Sequence, residues 1–147
     1  MDVSPVRSRK RSAASSGLLS GHTVFLDQSI GRVVVAGALG QLGIAVIAHD
    51  DVFPSDCTDA VWLQRAGEEG WIVLTRDKKI RYHASEKRAL LAAGVRAFVL
   101  SSGNLTGPRM AEAVRKALPR MGALIASRRA AFIASITAGG IVRLLET

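Results

Sequence analysis

The apolar positions of this chain fall into short runs separated by helical spacing. Thr23 to Leu26, Ile44 to Ala48, Trp71 to Leu74 and Val95 to Leu100 read as strands, three of them introduced by a glycine. Between the first two, Ile30, Val33, Val34, Ala38 and Leu42 recur at helical spacing, with Ser29 as a plausible N-cap and Gly43 as a stop. His49 to Thr58, with Pro54, reads as a polar loop. Asp59 to Glu69 predicts a helix with Val61, Trp62 and Ala66 on one face, closed by Gly70. A helix over Ser85 to Ala93 stops at Gly94, and a long one over Arg109 to about Arg129 follows Pro108. Ala131 to Thr137 and Ile141 to Leu145 flank Ala138-Gly139-Gly140, which predicts a C-terminal β-hairpin. The order β-α-β-α-β-α-β predicts an α/β fold with a mostly parallel sheet. Residues 1–20 show no periodicity and are rich in Ser, Arg and Lys. They read as a disordered basic tail ahead of one domain over 21–147.

Composition adds bounds. A chain of 147 residues with 48% hydrophobic content suits one domain with a real core, and 5% aromatic content makes that core mostly aliphatic. No apolar run approaches the roughly 18 to 20 residues of a membrane span. The N-terminus does not have the pattern of a signal peptide. A lone Cys57 rules out an internal disulfide, and the cytoplasm is the default location. The net charge of +8 is unevenly spread: residues 21–100 carry nine charges of each sign, whereas 101–147 carry seven basic and two acidic residues. Such flanks attract polyanions, so nucleic acid is a reasonable partner; a basic soluble protein with no such role is the alternative.

The candidate chemistry lies in the acids. Asp27 follows the first strand, Asp59 opens a helix, and Asp77 closes Thr75-Arg76-Asp77 after the third strand. In a parallel sheet the C-terminal strand ends share one edge, where sites form. Carboxylates gathered there repel unless a cation neutralises them, and hard cations such as Mg²⁺ favour oxygen donors. Each acid also has a plain reading as a helix cap or turn residue. Lys78 and Lys79 beside Asp77 suit a phosphate-bearing ligand. His49, Asp50 and Asp51 follow the second strand, and Asp51 is the preferred fourth acid. His22, His49, His83 and Cys57 lack zinc spacing. Gly37, Gly40 and Gly43 resemble a dinucleotide loop, but the nine residues between Gly40 and Asp50 are too few for a helix and a strand. Trp62 and Trp71 read as core.

Phe25-Leu26-Asp27, Asp59-Ala60 and Leu74-Thr75-Arg76-Asp77-Lys78 together resemble the PIN nuclease domain, in its compact group related to VapC toxins. The resemblance runs from about Val24 to Leu145 and takes in Ala131-Phe132-Ile133-Ala134 before the glycine turn. It implies a three-layer sandwich and a Mg²⁺- or Mn²⁺-dependent endoribonuclease. Asp27, Asp59 and Asp77 would be metal ligands, and Asp51 would join them as a catalytic acid. Arg76, Lys78, Lys79 and Arg81 would hold the RNA backbone. It further implies a cognate antitoxin and a possible homodimer. The sequence departs from the full pattern at the second acid, usually a glutamate in an inserted helical region, where only Asp50 or Asp51 is available. A non-catalytic RNA- or protein-binding module with a degenerate metal site is the alternative.

Overall fold

The structure, a computed structural model, describes Leu19, residues 21–101 and residues 105–147. The expected basic tail lies outside these residues, apart from Leu19, which is buried in the core.

Six strands form one sheet: β1 (Thr23–Leu26), β2 (Ala45–Ala48), β3 (Ile72–Thr75), β4 (Arg96–Leu100), β5 (Phe132–Ile136) and β6 (Val142–Glu146). Their spatial order is β2-β1-β3-β4-β5-β6. The first five strands run parallel, and β6 returns antiparallel to β5 as the expected hairpin. Strand residues alternate between two apolar layers, which is why β1, β3 and β4 read as continuous apolar runs. Val24, Leu26, Ile72, Leu74, Phe98 and Leu100 face helices α1 (Val34–Gln41) and α6 (Gly107–Ser127). Phe25, Val73, Ala97 and Val99 face α3 (Asp59–Glu69) and α5 (Ala84–Ala92). The result is a three-layer α/β/α sandwich, and no helix among the described residues is long and apolar enough to cross a membrane.

Several boundaries differ from expectation for identifiable reasons. The helix expected from Ser29 to Gly43 is split: Gln28–Ile30 forms a 3₁₀ turn, and Gly31, at φ 84°, breaks the chain before α1. The segment over Gly37 and Gly40 lies inside α1, so it is no glycine loop opening after a strand. His49–Val52 coils into a short helix, α2, where a loop was expected. Lys78–Tyr82 forms another, α4, capped by Asp77, whose Oδ1 accepts the Lys79 N–H at 2.9 Å. In α3 the bounds match, but Val61 is exposed and Leu63 takes the buried place beside Trp62 and Ala66. Gly67 lets α3 approach the end of α5: a Cβ there would meet the Ala93 carbonyl oxygen at 1.8 Å.

Candidate functional site

From β1 the chain crosses to β2 on one side, whereas β3 lies on the other side of β1. The crevice beyond the C-terminal ends of β1 and β3 is therefore a topological switch point, the usual ligand position in open parallel sheets. A cleft of about 620 Å³ opens there, lined by Asp27, Gln28, Ser29, Asp59, Arg76, Asp77, Lys78 and Lys79.

Each of its three carboxylates is anchored through one oxygen. Asp27 is only 8% exposed, and its Oδ2 accepts the hydroxyls of Thr75 at 2.6 Å and Ser29 at 2.8 Å. Each hydroxyl has one proton, and both are directed to Asp27. The two oxygens accept in turn from the next backbone turn, Thr75 Oγ1 from the Asp77 N–H and Ser29 Oγ from the Arg76 N–H, both at 3.0 Å. Asp59 is the first residue of α3, and its Oδ1 accepts the Trp62 indole N–H at 3.0 Å. Trp62 is itself fixed by stacking on Phe25 at 5.3 Å. Asp77 is held by the capping bond to Lys79. The second oxygen of each carboxylate carries no hydrogen bond among the described residues, and none of the three acids pairs with a Lys, Arg or His there.

The sequence profile of the PIN like domain family matches residues 23–102, more than half of the chain. The chain belongs to the PIN-like family. It is also 30% identical over 92 residues to a Mycobacterium tuberculosis protein named "Putative ribonuclease VapC45", an alignment covering 60% of this chain and 67% of that protein. No solved structure matches the chain.

The match spans β1 to the end of β4, so it contains all three cleft acids of the PIN-like domain. PIN nucleases generally use divalent metals, and the donors here fit one. Three hard carboxylates share a cleft, and among the described residues none has a cationic partner and each has an unbonded oxygen. No three Asp, Glu, His or Cys side chains among the described residues already stand close enough to enclose an ion. Asp59 is exposed and Asp77 half-buried, so both can reorient around the fixed Asp27.

Other expected site residues lie elsewhere. Asp51 does not line the cleft; it is exposed on α2 with its carboxylate 3.5 Å from the Arg32 guanidinium. The cause is topological, because β2 is the edge strand and α2 turns Asp51 outward. Asp50 is nearer to the cleft's rim, accepting from the Gln28 amide at 3.1 Å and meeting His49 Nδ1 at 3.0 Å. The Gln28 amide, then the His49 imidazole, hold its carboxyl below the usual carboxylate range. Arg81 also stays outside the cleft lining, donating to the Ser101 carbonyl at 3.1 Å and lying over the Tyr82 ring. Arg76 lines the cleft but also donates to the Leu105 carbonyl at 3.4 Å, so it ties β3 to the approach of α6. Lys78 and Lys79 are exposed on the cleft.

Sequence reasoning missed three groups that position the acids: the hydroxyls of Ser29 and Thr75 and the indole of Trp62. Trp62 was readable, since an aspartate and a tryptophan three apart share a helix face. Thr75, a polar residue ending an otherwise aliphatic strand, was a weaker signal.

Proposed function

We propose that this PIN-like domain is a divalent-metal-dependent endoribonuclease, the toxin of a toxin–antitoxin pair acting in the cytoplasm. The observation that carries the reading is the cleft at the switch point. Three carboxylates from three separate segments line it, each held by one oxygen and open at the other among the described residues, with Lys78 and Lys79 on the rim. The ribonuclease name of the mycobacterial relative supports it.

Asp27, Asp59 and Asp77 would hold Mg²⁺ or Mn²⁺. Such an ion, when bound, polarises a phosphoryl oxygen and favours ionisation of a water. The protein's own contribution is positional. Ser29 and Thr75 fix Asp27 in one orientation, and Trp62 tethers one oxygen of the exposed Asp59, which limits how far its carboxylate must reorient when an ion and substrate arrive. Lys78 and Lys79 place mobile positive charge where a phosphodiester backbone would lie, and Arg76 adds a guanidinium held half-buried beside them. A cognate antitoxin would cover this edge of the sheet.

The test is cleavage of a labelled RNA by metal-stripped protein after adding Mg²⁺ or Mn²⁺. The parent should cut, and Asp77→Asn should fall to background while keeping the parent's circular dichroism. Equal rates for the two proteins would remove Asp77 from the chemistry. The position of Asp51, outside the cleft, favours a second reading in which the domain binds RNA or protein without cutting. In that case no RNA is cleaved with either metal.

A further inference from the structure

At the opposite edge of the sheet from the acidic cleft, a second cavity of about 350 Å³ is lined by His22, Arg96, Ile125, Ala126 and Arg129. His22 directly precedes β1, Arg96 opens β4, and the remaining residues come from the end of α6 and just beyond it. Arg96 pairs in register with Ile72, five positions before Asp77. At about 3.3 Å per strand residue the cavity lies roughly 16 Å along the strands from the level of Asp77, so it is not an arm of the first cleft.

Arg96 is anchored. Its Nη1 donates to the carbonyls of Ile125 at 3.2 Å and Arg128 at 3.1 Å. Carbonyls at a helix C-terminus lack intrahelical partners, so this contact alone would be a structural cap. The surroundings exceed that role. Nε and Nη2 of Arg96 carry no hydrogen bond among the described residues. His22 and Arg129 share the cavity, and none of the three groups pairs with a carboxylate among the described residues. Burial and the Arg96 charge push the His22 imidazole down, and burial and the Arg129 charge push the Arg96 guanidinium down. The guanidinium charges of Arg96 and Arg129 therefore share the cavity with no carboxylate to offset them among the described residues, and the carbonyls at the helix end answer only Nη1 of Arg96. A bound anion would relieve that repulsion.

We propose that this cavity binds a phosphate group, with the free edge of the Arg96 guanidinium as the directed donor and His22 and Arg129 as flanking donors. A planar guanidinium locked at one nitrogen presents its other donors in a fixed fork, which suits a tetrahedral oxyanion. The phosphate could belong to an RNA strand or to a small phosphorylated molecule. The site does not depend on the nuclease reading.

The test is an amide NMR titration of the full chain with inorganic phosphate, against chloride at matched ionic strength. Saturable shifts should appear at residues 22, 96 and 125–129, and Asp27, Thr75 and Asp77 should stay unmoved. Arg129→Gln should weaken binding about tenfold, the loss expected for a hydrogen bond to a charged group. His22→Gln, at a half-buried site, gives a second reading if the first variant is poorly folded. A second titration uses a single-stranded oligoribonucleotide. Displacement of phosphate by the strand assigns the site to RNA, whereas phosphate binding without displacement assigns it to a small ligand. Silence from both probes, shifts that merely track ionic strength, or parent affinity in both variants would overturn the proposal.

Discussion

Replacing Thr75 with valine tests how the cleft holds its central acid. Thr75 is fully buried, and valine keeps its shape while deleting the hydroxyl. That hydroxyl donates to Asp27 Oδ2 at 2.6 Å and accepts the Asp77 N–H at 3.0 Å. A hydrogen bond to a charged group contributes about 1.5 to 3 kcal/mol, and an amide left without an acceptor costs about 1 more. Thr75→Val should therefore lower stability by about 2 to 4 kcal/mol. Thr75→Ser keeps both bonds and loses one buried methyl, which costs about 1 kcal/mol. Urea denaturation in EDTA reads both values as a shift in midpoint at constant slope. Mn²⁺ titration calorimetry should show affinity about tenfold weaker for the valine variant, the usual effect of removing a group that orients a metal ligand. If valine destabilises no more than serine and binds Mn²⁺ equally, the hydroxyl does not anchor Asp27 and the account of this site is wrong.

Other consequences can be read the same way. Trp62→Phe keeps the ring against Phe25 but frees Asp59 Oδ1, so Mn²⁺ affinity should fall about tenfold with a stability loss near 1 kcal/mol; unchanged affinity would show that Asp59 needs no anchoring. Lys78→Gln and Lys79→Gln should each reduce the log–log salt slope of single-stranded RNA binding by about 0.7, measured by anisotropy in EDTA, and an unaltered slope would take that lysine off the RNA path. Burial and Arg96 lower the His22 pKa, so its NMR titration should fall below the ordinary value of 6.5. The unfolded chain then takes up that proton first, and stability should drop as pH falls below the unfolded value; Asp50, also lowered, acts in the same direction at more acid pH. A His22 midpoint above the ordinary value would contradict the first of these.

Much of the architecture was legible because local and global signals agree. Strands buried on both faces show as unbroken apolar runs, and Asp59 to Gly70 carries a start, an amphipathic face and a left-handed stop. The Gly31 break was hidden because apolar residues on both sides keep a helical rhythm through it. The acids of the cleft were legible as strand-end and helix-start residues. Their anchoring was less so, because Thr75 and Asp27 are 48 positions apart and meet only through the pairing of β1 with β3. The choice between Asp50 and Asp51 could not be made from spacing, since it turns on a four-residue helix at an edge strand. The cationic cavity joins His22, Arg96 and Arg129, which no local pattern connects.

The nuclease account rests on three separated carboxylates serving one ion. A crystal soaked in Mn²⁺ and measured for anomalous scattering tests that directly. The account predicts a peak ligated by Asp27, Asp59 and Asp77 through the oxygens that accept no hydrogen bond among the described residues. A saturating soak that leaves this cleft without a peak would contradict it.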